Sequence, residues 1–346
     1  MRKILLMVVL LVGMTLPVQA LDLEAPSAPE AVEDLMPAET QSLGEGIWFI
    51  IKAAIKSFRP ELAQGVRVCM SVTVLSIGTA VLKSFPGRAS TLIDMAGSVG
   101  AATLLLGSAN TMIGAAAQVV EQLSDYGKLL LPVMTAAIAA QGGVSSATAL
   151  YSGTAIFDAV LVTLISSLLV SMVYVYLTLS VADSILDGDI LKRMRDFVKW
   201  LVTWCLKTVL YIFTGYMSIT GVISGATDKA AVKAAKLTIS GAVPVVGGIM
   251  SDASEAVLVS AGVVKSAAGV YGLWAIIAIA VGPFIRIGVL YLLLKLTAAL
   301  CSVFAGKKMS ELLQGFSTAM GLLLGMTGAV SLLFVISIVC FLKGVG

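Results

Sequence analysis

Histidine is absent from all 346 residues. Ser–His–Asp and Cys–His nucleophile systems, imidazole metal ligands and histidine pH switches are excluded together. Charge is scarce as well: Asp, Glu, Lys and Arg make up 12% of the chain, where soluble domains run near a quarter. A soluble chain of this length cannot bury nearly every segment, so most of the surface must face something other than water. The net charge of +3 is too mild and too dispersed for nucleic acid, which asks for a clustered basic face. Cys69, Cys205, Cys301 and Cys340 lie far apart, each in an apolar stretch, whereas zinc sites and disulfide frameworks need close or repeated spacing. They read as small buried hydrophobes. Neither a Gly-Lys-Ser/Thr phosphate loop nor a dinucleotide fingerprint occurs. The chain therefore does not hydrolyse ATP itself, no cofactor is expected, and no enzyme class is indicated.

What is present is apolar. Hydrophobic residues make up 58% of the sequence, and the mean hydropathy is +1.01. Residues 1–20 read as an export signal: Arg2 and Lys3, an apolar run from Ile4 to Met14, then Val18-Gln19-Ala20 as a small-x-small cleavage site. An uncleaved first anchor is the alternative, although the apolar run is short for a span. Residues 21–46 are acidic and proline-bearing (Glu24, Glu30, Glu33, Asp34, Glu39), as in an extended extracytoplasmic linker. Residues 47–60 alternate a broad apolar face with lysines, which suits a helix lying in the membrane interface or one that binds a partner.

Residues 61–346 form the multi-pass region. Val68 to Leu82, Met95 to Val120, Leu129 to Phe157, Val160 to Val181, Thr208 to Thr227, Ser266 to Ile285 and Leu312 to Leu342 contain no charged residue. About 20 mostly apolar residues cross a bilayer, and backbone at membrane depth must satisfy its own hydrogen bonds. The expected fold class is thus all-α: a polytopic helical membrane protein with about six or seven spans plus broken or re-entrant helices. Lys83 and Arg88, Lys192 to Lys199, and Lys307 with Lys308 belong in the cytoplasm by the positive-inside rule. These assignments agree only if Leu129 to Phe157 makes no net crossing. Lys229, Lys233 and Lys236 fit that scheme badly.

Two windows carry breakers. One holds Pro132, Gln141, Gly142, Gly143 and Gly153; the other holds Gly241, Pro244, Gly247 and Gly248, followed by Asp252 and Glu255. Proline denies the helix a donor and glycine permits tight turns. Both windows are candidate broken-helix or pore elements; a proline-kinked helix inside the bundle is the alternative. Lys207, Arg286 and Lys295 are candidate intramembrane charges, facing a cavity or partner, or else snorkelling to an interface. Asp158, Asp252 and Glu255 could bind a cation, relay protons or cap helix starts. Gly221-x-x-x-Gly225 and Gly321-x-x-x-Gly325 allow close helix approach, within one subunit or in a homo-oligomer.

The string Ile239-Ser-Gly-Ala-Val-Pro-Val-Val-Gly-Gly-Ile-Met-Ser-Asp-Ala-Ser-Glu255 resembles the signature segment of the stage III sporulation protein AE family of endospore-forming bacteria. So do Leu130-Leu-Pro-Val133 running to Gly142-Gly-Val-Ser-Ser-Ala147, Phe213-Thr-Gly-Tyr-Met-Ser-Ile-Thr-Gly221 and Gly225-Ala-Thr-Asp-Lys-Ala230. The resemblance runs from about Trp48 to the C-terminus and is most specific from Phe213 to Gly269. It implies a membrane subunit of a secretion-like channel complex between mother cell and forespore, seated in the mother-cell membrane. The implied partners are the other stage III sporulation AA to AH proteins, one of them an ATPase, and stage II sporulation protein Q across the intermembrane space. The family brings no catalytic residues. From the residues alone, a stand-alone secondary transporter with discontinuous helices and a scaffold without a pore stay open beside the channel subunit.

Overall fold

The computed structural model describes residues 26–37, 43–57, 59–84, 90–186, 189–242, 247–304 and 307–343, with the backbone alone for 221–265. The export signal expected over residues 1–20 lies outside these. A 3₁₀ turn over Glu30–Leu35 precedes α1 (Leu43–Ser57), α2 (Arg59–Ser84) and α3 (Ser90–Ala140). Next, α4 (Val144–Leu164), a π turn (Ile165–Leu169) and α5 (Val170–Ile185) make one rod. Then come α6 (Asp189–Ala242), α7 (Gly247–Phe304) and α8 (Lys307–Lys343). Six rods, α2, α3, α4–α5, α6, α7 and α8, are long and apolar enough to cross a membrane. The chain is a polytopic helical membrane protein.

The seven charge-free windows become six rods because the third window is shared. Leu129 to Ala140 completes α3, and Val144 to Phe157 begins α4. Pro132 is therefore not the break that its sequence suggests: it sits inside α3. A proline removes only its own N–H, here the donor to the Lys128 carbonyl, and a helix in a bundle tolerates one such loss. The chain turns instead at Gly142, whose φ of 88° is the left-handed conformation that glycine adopts freely. Gly143 N–H donates to Ile138 O (3.0 Å) and Gly142 N–H to Ala139 O (2.9 Å). That pair of bonds is a Schellman stop, which satisfies the last carbonyls of α3.

Successive rods run antiparallel. At one end, α2 meets α3 through a Lys83–Asp94 ion pair, α5 meets α6 through Arg195–Asp183 at 3.1 Å, and α8 meets α7 where the Ser310 hydroxyl donates to Ala298 O at 3.1 Å. The expected cytoplasmic cations Lys83, Lys192, Arg193, Arg195, Lys199, Lys307 and Lys308 all belong to this end; Arg88 lies outside the described residues. The turn at 141–143 reverses the chain, which lets these segments share one side.

Several rods are far longer than a bilayer is thick. At 1.5 Å per residue, the 51 residues of α3 reach about 77 Å and the 58 of α7 about 87 Å, against a hydrocarbon core of about 30 Å. The backbone of α6 continues through residues 221–242 and that of α7 begins at Gly247, so Lys229, Lys233 and Lys236 fall on α6 itself, after its charge-free window.

α8 forms the centre of the bundle: 56% of its apolar window is buried, against 22–39% for the other rods. Phe316, Met320, Leu323, Val330, Phe334 and Phe341 line its inward faces. Glycines let neighbours close on it and on each other. A Cβ added at Gly127 would overlap Phe334, and one at Gly153 would overlap Tyr216. Phe157 meets Phe213 edge-on at 5.3 Å where α4 packs on α6.

The segment before α1, expected as an extended linker, is docked where it is described. Ala28 N–H donates to the Tyr271 hydroxyl (3.2 Å), and the Tyr126 hydroxyl donates to Pro26 O (3.2 Å). α1 buries Ile50 and Ala54, with Ile50 packed against Trp274 and Ala278 of α7. Trp48, Phe49 and Ile55 stay outward.

Candidate functional site

The first breaker-rich segment comes out as an inter-helix turn: Gly142 and Gly143 form the α3–α4 stop. By the antiparallel order that turn falls at the end opposite the cationic hairpins, not at mid-depth. Gly241 is in the last turn of α6, Gly247 and Gly248 open α7, and Asp252 and Glu255 follow in its first turns; Pro244 lies outside the described residues.

The three intramembrane cations separate into two kinds. Lys207 and Lys295 are exposed on the outer faces of α6 and α7. Lys295 Nζ donates to the Tyr291 hydroxyl at 3.2 Å and lies 5.4 Å from the centre of that ring, so a cation–π contact holds it near the helix surface. Arg286 instead faces inward. It borders a cavity of about 90 Å³ between α2, α3 and α7, shared with Gln64, Ser108, Thr111 and aliphatic Leu62 and Leu290. A guanidinium beside hydroxyls and an amide, with aliphatic walls, is an amphiphilic lining. It could take a polar group on an apolar stem.

Gly321 and Gly325 pack within the subunit, towards Tyr291 of α7 and Leu206 of α6. A Cβ there would sit at 3.4 and 3.6 Å from those side chains, an ordinary contact, so these positions do not require glycine. Gly221 and Gly225 lie along the continued backbone of α6. Among the described residues, the close approaches are made at Gly46, Gly97, Gly127, Gly153, Gly269, Gly272 and Gly315, none of which stands in either G-x-x-x-G pair singled out from the sequence.

Two carboxylates acquire a meaning that sequence alone did not give them. Asp158 is in the interior of α4 rather than at a helix start, and it is only 5% exposed. Its Oδ2 accepts a hydrogen bond from Ser124 of α3 at 2.7 Å, and Oδ1 has no hydrogen-bond partner. Asp183 and Arg195 form a pair that is 10% exposed on each side. Arg195, expected among the solvated cytoplasmic cations, has turned inward. The available signal was spacing: Asp183 stands near the end of α5 and Arg195 near the start of α6, so antiparallel rods bring them level.

The family model described as stage III sporulation protein AE matches residues 31–344. The stage III sporulation protein AE of Bacillus subtilis (strain 168) is 23% identical over 235 residues, covering 68% of this chain. The match spans 59% of that relative's own length. No solved structure matches the chain. With nearly the whole chain matched, membrane rods and signature segment included, this polypeptide belongs to the stage III sporulation protein AE family.

Proposed function

We propose that the chain is a non-enzymatic, integral-membrane subunit of the channel complex joining mother cell and forespore, seated in the mother-cell membrane around the forespore. The observation that carries this reading is the family match across residues 31–344 of a bundle with six membrane-length rods. The absence of a phosphate loop from the sequence fits a subunit driven by a separate ATPase among the stage III sporulation AA to AH proteins. In the proposed orientation the Ile239 to Glu255 string lies on the extracytoplasmic side, where it would meet stage II sporulation protein Q and other partners in the intermembrane space. The segments around Gly142 and Pro244 then serve as partner-facing or pore-rim elements.

A secondary transporter working alone would build its site from helices interrupted at mid-depth, whereas Pro132 sits inside an unbroken α3 and the chain turns at Gly142. The test is made in sporulating cells. Deletion should give forespores that collapse after engulfment, and the tagged protein should copurify with its operon partners. Pro244→Leu should cut heat-resistant spore counts at least tenfold while the protein still inserts in the membrane. Normal spore counts with Pro244→Leu would remove the α6–α7 turn from the mechanism. Purification free of all partners, with solute binding abolished by Arg286→Gln, would replace the channel reading with the transporter.

A further inference from the structure

We propose that Asp158 is a proton-binding site: its carboxyl is neutral in the assembled bundle and shares its proton with Ser124. The side chain is 5% exposed and lies inside a membrane-spanning rod. One hydroxyl, at 2.7 Å from Oδ2, is its whole hydrogen-bonding environment, and Oδ1 faces no donor. An ionised carboxylate offers about four lone-pair sites and is costly to bury with so little compensation. The neutral form removes that mismatch. A separation of 2.7 Å suits an O–H donor on either partner, so Oδ2–H can donate to Ser124 Oγ, leaving Oδ1 as a single carbonyl acceptor.

The surroundings favour this over a counter-ion. From α3, the charged groups nearest Asp158 are Asp125 and Lys128. They pair with each other at 2.8 Å and are 64% and 67% exposed. From α6, Tyr216 commits its hydroxyl to Ala149 O (3.1 Å). From α8, Ser337 is uncharged and binds Thr154 at 3.0 Å and Leu333 O at 2.8 Å. On α4 itself, Tyr151 is outward. No ion pair to Asp158 forms among the described residues. A hard cation gathers about six oxygens, whereas one carboxylate and one hydroxyl converge here, so a proton is the ligand that the site can hold. Its release would place a charge at the α3–α4 contact, level with the Gly127–Phe334 and Thr154–Ser337 packing, and would loosen that junction.

The experiment uses the full chain in membrane vesicles at pH 7. Dicyclohexylcarbodiimide, an apolar reagent for protonated carboxyls, should add one reagent mass to the peptide containing Asp158. A water-soluble carbodiimide should not, and raising the pH should diminish the adduct. Infrared difference spectra between wild type and Asp158→Asn should show a protonated-carboxyl C=O band lost in the variant. Asp158→Asn should also keep the wild-type melting temperature within a few degrees, since an amide mimics the neutral acid towards Ser124. An adduct suppressed by sodium or potassium at fixed pH would overturn the proposal in favour of a cation site. A protein giving neither the adduct nor the infrared band would overturn it in favour of a carboxylate.

Discussion

Arg195→Ala is expected to destabilise the bundle by about 3–5 kcal/mol, because it leaves the Asp183 carboxylate buried without a partner. The pair is 3.1 Å apart and 10% exposed on each side, joining α5 to α6 beside their turn. Little solvent screening discounts the loss, unlike that of the exposed Lys128–Asp125 pair, for which about 0–1 kcal/mol is typical. Asp183→Ala combined with Arg195→Ala should be milder than Arg195→Ala alone, since both charges leave together and the desolvation cost leaves with them. Thermal unfolding in detergent and the amount of protein in membranes both read the difference. If Arg195→Ala melts like the wild type, the pair is solvated and ties nothing together.

Phe334→Ala should be the most damaging apolar truncation at the core. Phe334 is 1% exposed at the centre of the bundle, and its ring lies against Gly127 so closely that no Cβ fits there. Phe→Ala costs about 3–5 kcal/mol in water-soluble cores. The value expected here is about the lower end of that range, because lipid is as apolar as the core and only packing contacts are lost. Gly127→Ala pushes the other way, forcing the ring aside for about 1–3 kcal/mol of overpacking. The two substitutions share one space, so they should not add. With the ring gone, the extra methyl of Gly127→Ala should cost almost nothing or recover part of the loss. Additive effects would mean that the two residues do not touch.

The membrane-helical class was legible from composition, because 12% charge and long charge-free windows admit no other solvent. The number of rods was legible to within one. Their boundaries were not, since charge-free windows record where charges stand rather than where backbone turns. Glu121 and Asp125 interrupt the hydropathy inside α3 without interrupting the helix, and Asp158 does the same inside the α4–α5 rod. Of the breakers in the third window, Gly142 and Gly143 make the turn, where a left-handed residue closes the helix, while Pro132 is carried inside α3 because a bundled helix tolerates the loss of one donor. The role of the tight glycines is hidden for a related reason. Gly153 stands out in the sequence only as a breaker, and G-x-x-x-G spacing describes one helix face, while Gly127 and Gly153 answer to aromatic rings arriving from α8 and α6. The docked N-terminal segment depends on Tyr126 and Tyr271, which stand 100 and 243 residues from their hydrogen-bond partners; no local pattern announces such contacts.

Every functional statement about this chain depends on the antiparallel bundle placing the α2–α3, α5–α6 and α7–α8 hairpins on one side of a membrane and the α3–α4 turn on the other. Single cysteines at Ser90, Ile190 and Lys307, and at Ala140 and Val144, test it in a background with the four native cysteines replaced by alanine. A membrane-impermeant thiol reagent applied to intact cells expressing the protein before engulfment, when its outer face is open to the medium, should label Ala140→Cys and Val144→Cys, while Ser90→Cys, Ile190→Cys and Lys307→Cys react only after permeabilisation. Labelling of both groups from the same side would contradict the account.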